Sequence, residues 1–163
     1  MLAPYGRLMH INRSIRIDAT PQRVWELVSD LPGMGALSPE NTGGSWRGGA
    51  TAPSVGARFR GTNRNGSRRW STSVSVTRCE PGRSFAFAVS SMGLPVSEWS
   101  YDIVADGDDA CTVTESWADR RHGWFKRPAA LVTGVKDRGE QSTGDNLERT
   151  LAALKRAAEG TEK

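Results

Sequence analysis

The sequence is 163 residues long, 37% hydrophobic and 25% charged, with a net charge of +4. That length suits a single domain, and no apolar run approaches the ~18 residues a membrane-spanning helix needs. With two histidines, and two cysteines that lack C-x-x-C spacing, little is left for a metal centre or a Ser-His-Asp triad, so no metal and no cofactor are expected.

Met1 to His10 has neither the apolar core nor the small-residue cleavage site of a signal peptide, and a second methionine, Met9, precedes the first strand. Residues 1–9 are therefore expected to be loosely ordered, and the protein to be cytoplasmic. Residues 11–18 alternate, with Ile11, Ile15 and Ile17 on one face and Asn12, Ser14, Arg16 and Asp18 on the other, the pattern of a half-buried strand. Thr20 then offers an N-cap and Pro21 a first helical residue, and Val24, Trp25, Leu27, Val28 and Leu31 follow at helical spacing. Core packing is expected for Trp25. Pro32-Gly33 ends that helix, and a second short helical turn is predicted up to Leu37.

From Glu40 onward, strands alternate with turn signals. A weak strand is predicted around Ser45-Trp46-Arg47. The segments "ARFRGTNR" and "RRWSTSVSVTRC" flank Asn65-Gly66-Ser67, the strongest hairpin signal in the chain. Pro81-Gly82 precedes "SFAFAVSS", Met92-Gly93-Leu94-Pro95 leads into "SEWSYDIVA", and Asp106-Gly107-Asp108-Asp109 turns the chain into "ACTVTESWAD". Trp124 to Val135, interrupted by Pro128 and Gly134, reads as a loop or an irregular lead-in helix. Leu147, Leu151, Leu154 and Ala158 form the apolar stripe of a final helix over about 142–159.

A long amphipathic helix must lay its stripe on a large apolar surface, and the inner face of the sheet is the one available. The predicted fold is α+β: a curled seven-stranded antiparallel sheet around the C-terminal helix, with two short helices between strands 1 and 2. Strand parity places Cys79 and Cys111 on opposite faces, so no disulfide is expected.

This layout resembles the START-like (SRPBCC, helix-grip) superfamily and its polyketide cyclase/dehydrase-like branch. The resemblance is carried by "SIRIDATPQRVWELVSD", "LSPE" at 37–40, "PGRSFAFAV" at 81–89, "EWSYDIV" at 98–104, "CTVTESW" at 111–117 and "NLERTLAALKRAAE". It spans nearly the whole chain as one domain, 1–163. It implies a hydrophobic cavity between sheet and C-terminal helix that takes lipids, sterols, polyketides or hormones; some members do chemistry there and many do not.

Parity supplies candidate lining residues: Phe59, Trp70, Val74 and Phe87, then Trp99, Tyr101, Val113 and Trp117, with Leu147 and Leu151 from the helix. Glu115 breaks the apolar face. It is expected to sit in water at a cavity mouth, to pair with an arginine such as Arg13, or to be a ligand-contacting or catalytic carboxyl of raised pKa. Tyr101 is placed to share its space, and His122 is a third candidate acid or base, read first as a solvated loop residue. Ser38-Pro39-Glu40 is a connection that borders the pocket at most, and residues 48–56 are a candidate lid.

Three functions follow. The first is a carrier or sensor of a small hydrophobic or amphipathic ligand, without membrane insertion, as a monomer or homodimer. The second is a cyclase/dehydratase-type enzyme using Glu115 and Tyr101. The third is an interaction protein using the arginines of 58–69 (Arg58, Arg60, Arg64, Arg68, Arg69) or those of 120–127 (Arg120, Arg121, Lys126, Arg127). Alternation sets Phe59 and Trp70 opposite Arg58, Arg60 and Arg69, which separates stacking surface from charge, so nucleic acid is not an expected partner.

Overall fold

In the computed structural model, residues 9–133 and 140–160 are described. The expectation for the first eight residues, the predicted interruption at Gly134, the end of that segment at Val135, and the Arg127 side chain lie outside that description.

Strand β1 (His10–Ile17) turns Ile11 and Ile17 into the core. Helix α1 (Pro21–Ser29) starts as its sequence dictates: the Thr20 hydroxyl accepts from the Arg23 N–H at 3.2 Å, and Pro21 occupies the first turn. It buries Val24 and Val28, while the Trp25 indole donates to the Ser84 carbonyl at 3.0 Å. The helix ends at Ser29, three residues before Pro32, because the Asp30 carboxylate and carbonyl both accept from the Gly33 N–H and tighten the turn. The second predicted helix is a single 3-10 turn, Met34–Ala36.

Six strands follow: β2 (Asn41–Arg47), β3 (Arg58–Asn65), β4 (Arg68–Glu80), β5 (Ser84–Ser91), β6 (Leu94–Ala105) and β7 (Cys111–Asp119). They form one antiparallel sheet in the order β1-β7-β6-β5-β4-β3-β2, so α1 and the 3-10 turn carry the chain from one edge to the other. The weak second strand is longer than its sequence suggests. Its Gly44 has φ of 147°, and a Cβ there would collide with the Arg60 carbonyl and the Phe59 ring, so no other residue fits this close approach.

Two irregularities re-aim side chains. Between Val76 and Arg78 the pairing with β5 shifts, so Val76 opposes Phe87 but Cys79 opposes Phe85. The bulge returns Cys79 to the core side, where it packs beside the cluster that also holds buried Cys111. This corrects the expectation that the two cysteines occupy opposite faces: simple parity fails across one extra residue. A second shift, between Val89 and Ser90, leaves Val96 unopposed on β6.

The segment expected to be a loop or irregular helix forms α2 (Gly123–Thr133), with Pro128 inside it. Helix α3 (Glu140–Glu159) starts two residues before the predicted boundary and buries Leu147, Leu151 and Leu154 as its stripe requires. It packs on β1, β7 and α1, and α2 packs on β4. Gly144 gives the Arg13 side chain room to lie against α3. Most of the core is one cluster between sheet, α1 and α3; Ile11, Trp117 and Leu147 form a smaller one at the other end of the helix.

Candidate functional site

The inner face of the sheet is not filled by α3 along its whole length. A cavity of about 400 Å³ remains, walled by Trp70 and Val74 of β4, Phe87 and Val89 of β5, Trp99 and Tyr101 of β6, and Glu115 and Trp117 of β7. The helices contribute Pro128, Thr133, Asn146 and Thr150, and the link before β2 adds Met34 and Ser38-Pro39-Glu40. The volume falls within the usual small-molecule range, and the lining is mainly apolar, as such pockets are.

Seven of the parity-derived residues meet in this cavity: Trp70, Val74, Phe87, Trp99, Tyr101, Glu115 and Trp117. The other four lie in the core. Phe59 packs edge-on against Trp46 at a centroid separation of 5.3 Å, Val113 and Leu151 belong to the main cluster, and Leu147 to the smaller one. The reason is rotational: the stripe of α3 presses on the sheet, while Asn146 and Thr150, one residue back on the helical wheel, face the cavity. His122 is exposed beyond the end of β7 and does not line the cavity, nor does any residue of 48–56, whereas Ser38, Pro39 and Glu40 all do.

Strand β7 explains Glu115. Cys111, Val113, Glu115, Trp117 and Asp119 alternate inward and all are buried, so the carboxylate follows its strand. It is wholly inaccessible to solvent. Cross-strand register sets Tyr101 on one side of it and Arg13 on the other. The Tyr101 hydroxyl donates to Glu115 Oε1 at 2.8 Å. The Arg13 guanidinium turns away, bonding Glu148 Oε1 of α3 at 3.0 Å and the Asn12 carbonyl at 2.8 Å. Neither water at a cavity mouth nor an ion pair with Arg13 therefore describes Glu115. Burial pushes its pKa up from 4.5 to about 8, against the opposing pull of the Tyr101 hydrogen bond. Tyr101 is itself raised well above 10, by burial first and then by the neighbouring carboxyl. At neutral pH the pair holds both its protons.

A second buried carboxylate, overlooked in the sequence reading, continues the same parity. Asp119 is 3% exposed. Its oxygens accept from Arg121 Nε at 2.9 Å and Nη2 at 2.8 Å, from the Arg121 backbone N–H at 3.0 Å, and lie 3.5 Å from Lys126 Nζ. Burial works to raise Asp119, but the Arg121 hydrogen bonds and the two cations outweigh it and hold the carboxyl below its ordinary value. Arg121 also lines the cavity, as a cation already neutralised. The arginines of 58–69 are exposed, while Phe59 and Trp70 turn inward. Among the described residues no cluster of three or more His, Cys, Asp or Glu could hold a metal ion, and no helix is long and apolar enough to cross a membrane.

Residues 9–159 match the family model described as polyketide cyclase / dehydrase and lipid transport. No curated protein matches the sequence. A START superfamily protein from Mycobacterium smegmatis shares the fold at TM-score 0.67 and 16% identity, over 94% of this chain and 99% of that one. A polyketide-cyclase-like protein from Corynebacterium glutamicum aligns at TM-score 0.55 and 26% identity, over 97% and 91% of the two chains. The di-domain ARO/CYC StfQ of the steffimycin biosynthetic pathway aligns at TM-score 0.69 and 9% identity, over 94% of this chain but 51% of that one.

Proposed function

This chain belongs to the polyketide cyclase/dehydrase and lipid transport family, and from that premise we propose that it carries or senses one small, largely apolar ligand held in the cavity between sheet and helices. The observation that supports this most is the cavity itself: about 400 Å³ of space lined by Trp70, Phe87, Trp99 and Trp117, left open beside a well-packed core. Aromatic walls suit a flat or chain-like apolar guest. The two free thiols fit a cytoplasmic carrier.

One observation favours a catalytic alternative. Glu115 keeps its proton at neutral pH and shares a hydrogen bond with Tyr101 at the cavity wall, the arrangement of a general acid for cyclisation or dehydration. Such chemistry also needs a base, and His122 lies outside the cavity while Asp119 is occupied by Arg121. The carrier reading asks for fewer groups and is preferred.

Native mass spectrometry of the freshly purified protein, compared with its denatured mass, tests the proposal. A reproducible adduct of a few hundred daltons that vanishes on denaturation is the expected result. Val89→Trp, which fills the cavity from β5, should abolish the adduct and leave the fold intact. Failure of the wild-type protein to take up any of a panel of fatty acids, sterols and aromatic polyketides would overturn it. For the catalytic alternative, Glu115→Gln should abolish turnover of a compound that the variant still binds.

A further inference from the structure

Resting on the reading of the cavity as a ligand site, we propose that its guest carries a neutral acceptor oxygen, a ketone- or quinone-type carbonyl, which accepts a hydrogen bond from the carboxyl of Glu115. The cavity wall contains several polar side chains, and the buried ones nearest Glu115 and on α3 are already engaged. The Tyr101 proton goes to Glu115 Oε1 at 2.8 Å, the Thr150 hydroxyl donates to the Asn146 carbonyl at 2.9 Å, and the Trp99 indole donates to Ser97 Oγ at 3.1 Å. Among the described residues, four buried side-chain atoms have no hydrogen-bond partner, and Glu115 Oε2 is the one that belongs to a cavity-lining residue.

Which atom holds the proton follows from the geometry. Oε1 accepts from Tyr101, so the hydrogen of a neutral Glu115 sits on Oε2. That leaves a buried O–H donor with nothing to donate to, a costly arrangement that a ligand oxygen relieves. A hydrocarbon guest leaves the donor unsatisfied. An ammonium guest requires the carboxyl to ionise, and the surroundings oppose this. On β1, Arg13 is committed to Glu148 of α3; on β6 the facing group is Tyr101; on β7 itself, Asp119 is paired with Arg121 and Lys126. Arg121 and Glu40 are the other charged residues of the lining. Among the described residues no cation is thus left beside Glu115 to stabilise its charge, in keeping with its raised proton affinity.

The same donor gives the site a pH limit. Above a pH of about 8, Glu115 ionises and the donor becomes an acceptor. A carbonyl guest then loses its partner, while a hydrocarbon guest does not.

Equilibrium dialysis with 2-acetylnaphthalene, 2-ethylnaphthalene and 1-(2-naphthyl)ethylamine tests this, with probes of nearly one shape that differ in the oxygen, its absence, or a positive charge. The quantity read is the ketone-to-hydrocarbon affinity ratio. The ratio is expected to fall about tenfold in Glu115→Leu, and by a similar factor in the wild-type protein between pH 6.5 and 9.5. Glu115→Gln, whose amide still donates, should keep the ratio and lose its pH dependence. A ratio unchanged by both Glu115→Leu and pH, with both probes bound, would overturn the carbonyl proposal and leave the cavity reading standing. Tighter binding of the amine than of the ketone at pH 6.5 would overturn it too. If none of the three probes binds any form of the protein, the carbonyl proposal falls, and the cavity reading falls with it only where the panel of fatty acids, sterols and aromatic polyketides fails as well. Should Glu115→Leu fail to fold, the wild-type and Glu115→Gln pH series decide the matter.

Discussion

Glu115→Gln should stabilise this protein at alkaline pH. The folded environment moves the carboxyl from 4.5 to about 8, so the native state binds its proton more tightly than the unfolded chain does. The sign follows: stability is intact below pH 4.5, declines as pH rises toward 8, and levels off once both states are ionised. Each pH unit in that window costs about 1.4 kcal/mol, which amounts to about 5 kcal/mol across the whole of it and about 3 kcal/mol by pH 7. Glutamine fills the same space, still accepts from Tyr101, and does not titrate. Urea denaturation of both proteins at intervals from pH 4.5 to 9 gives the difference in unfolding free energy, from which all other titrating groups cancel. The variant should gain steadily on the wild type, ending several kcal/mol ahead, a large share of the 5–15 kcal/mol typical of a domain. Parallel curves would refute the reasoning, because they would mean the carboxyl ionises as easily folded as unfolded. A difference of the opposite sign would show that a cation reaches it, with Arg13 the first to suspect.

The same stability curve reads out Tyr101→Phe: loss of the hydroxyl should cost about 1–3 kcal/mol and push the Glu115 midpoint above 8, since the lost hydrogen bond is what holds it down. Arg121→Ala strands the buried Asp119 carboxylate with Lys126 alone and should destabilise by about 3–5 kcal/mol in chemical denaturation. Because Asp119 is held below 3.8, its contribution is present above that pH and lost on acidification, so the Arg121→Ala deficit should shrink as pH falls below 3.8. Leu147→Ala should cost about 2–5 kcal/mol by emptying the smaller core cluster, yet leave ligand uptake measured by native mass spectrometry unchanged, because Leu147 lies off the cavity wall.

What the sequence disclosed about this molecule depended on the range over which each feature is fixed. Alternation and capping are local, so β1, α1 with its Thr20 cap and the stripe of α3 could be read directly. The Thr77 bulge was legible only in part: "VSVTRCE" sets two polar residues, Thr77 and Arg78, side by side, but the extra residue is defined only by the pairing with β5. The same holds for the rotation of α3: Leu147 and Leu151 look like cavity residues until the helix is seated, and only then do Asn146 and Thr150 turn to the open space.

Glu115 shows both limits in one residue. Its inward direction came from the parity of β7 alone, and its neighbour Tyr101 is nearly local, since the short turn around Asp106–Asp109 sets the β6–β7 register. Its relation to Arg13 is not local at all. The β1–β7 register joins segments about a hundred residues apart and does bring Arg13 opposite Glu115. The ion pair that this position invites is then forestalled by a third element: Gly144 of α3 leaves space for the guanidinium, and Glu148, one helical turn later, accepts it. An Arg13–Glu115 pair inside the core would have removed two charges from water for a single contact, whereas the Arg13–Glu148 pair keeps both ends partly solvated. The fold therefore commits Arg13 to Glu148 near the surface and leaves Glu115 without a cation among the described residues. That choice makes Glu115 a donor rather than an anion, and a carbonyl rather than an amine the guest that suits it.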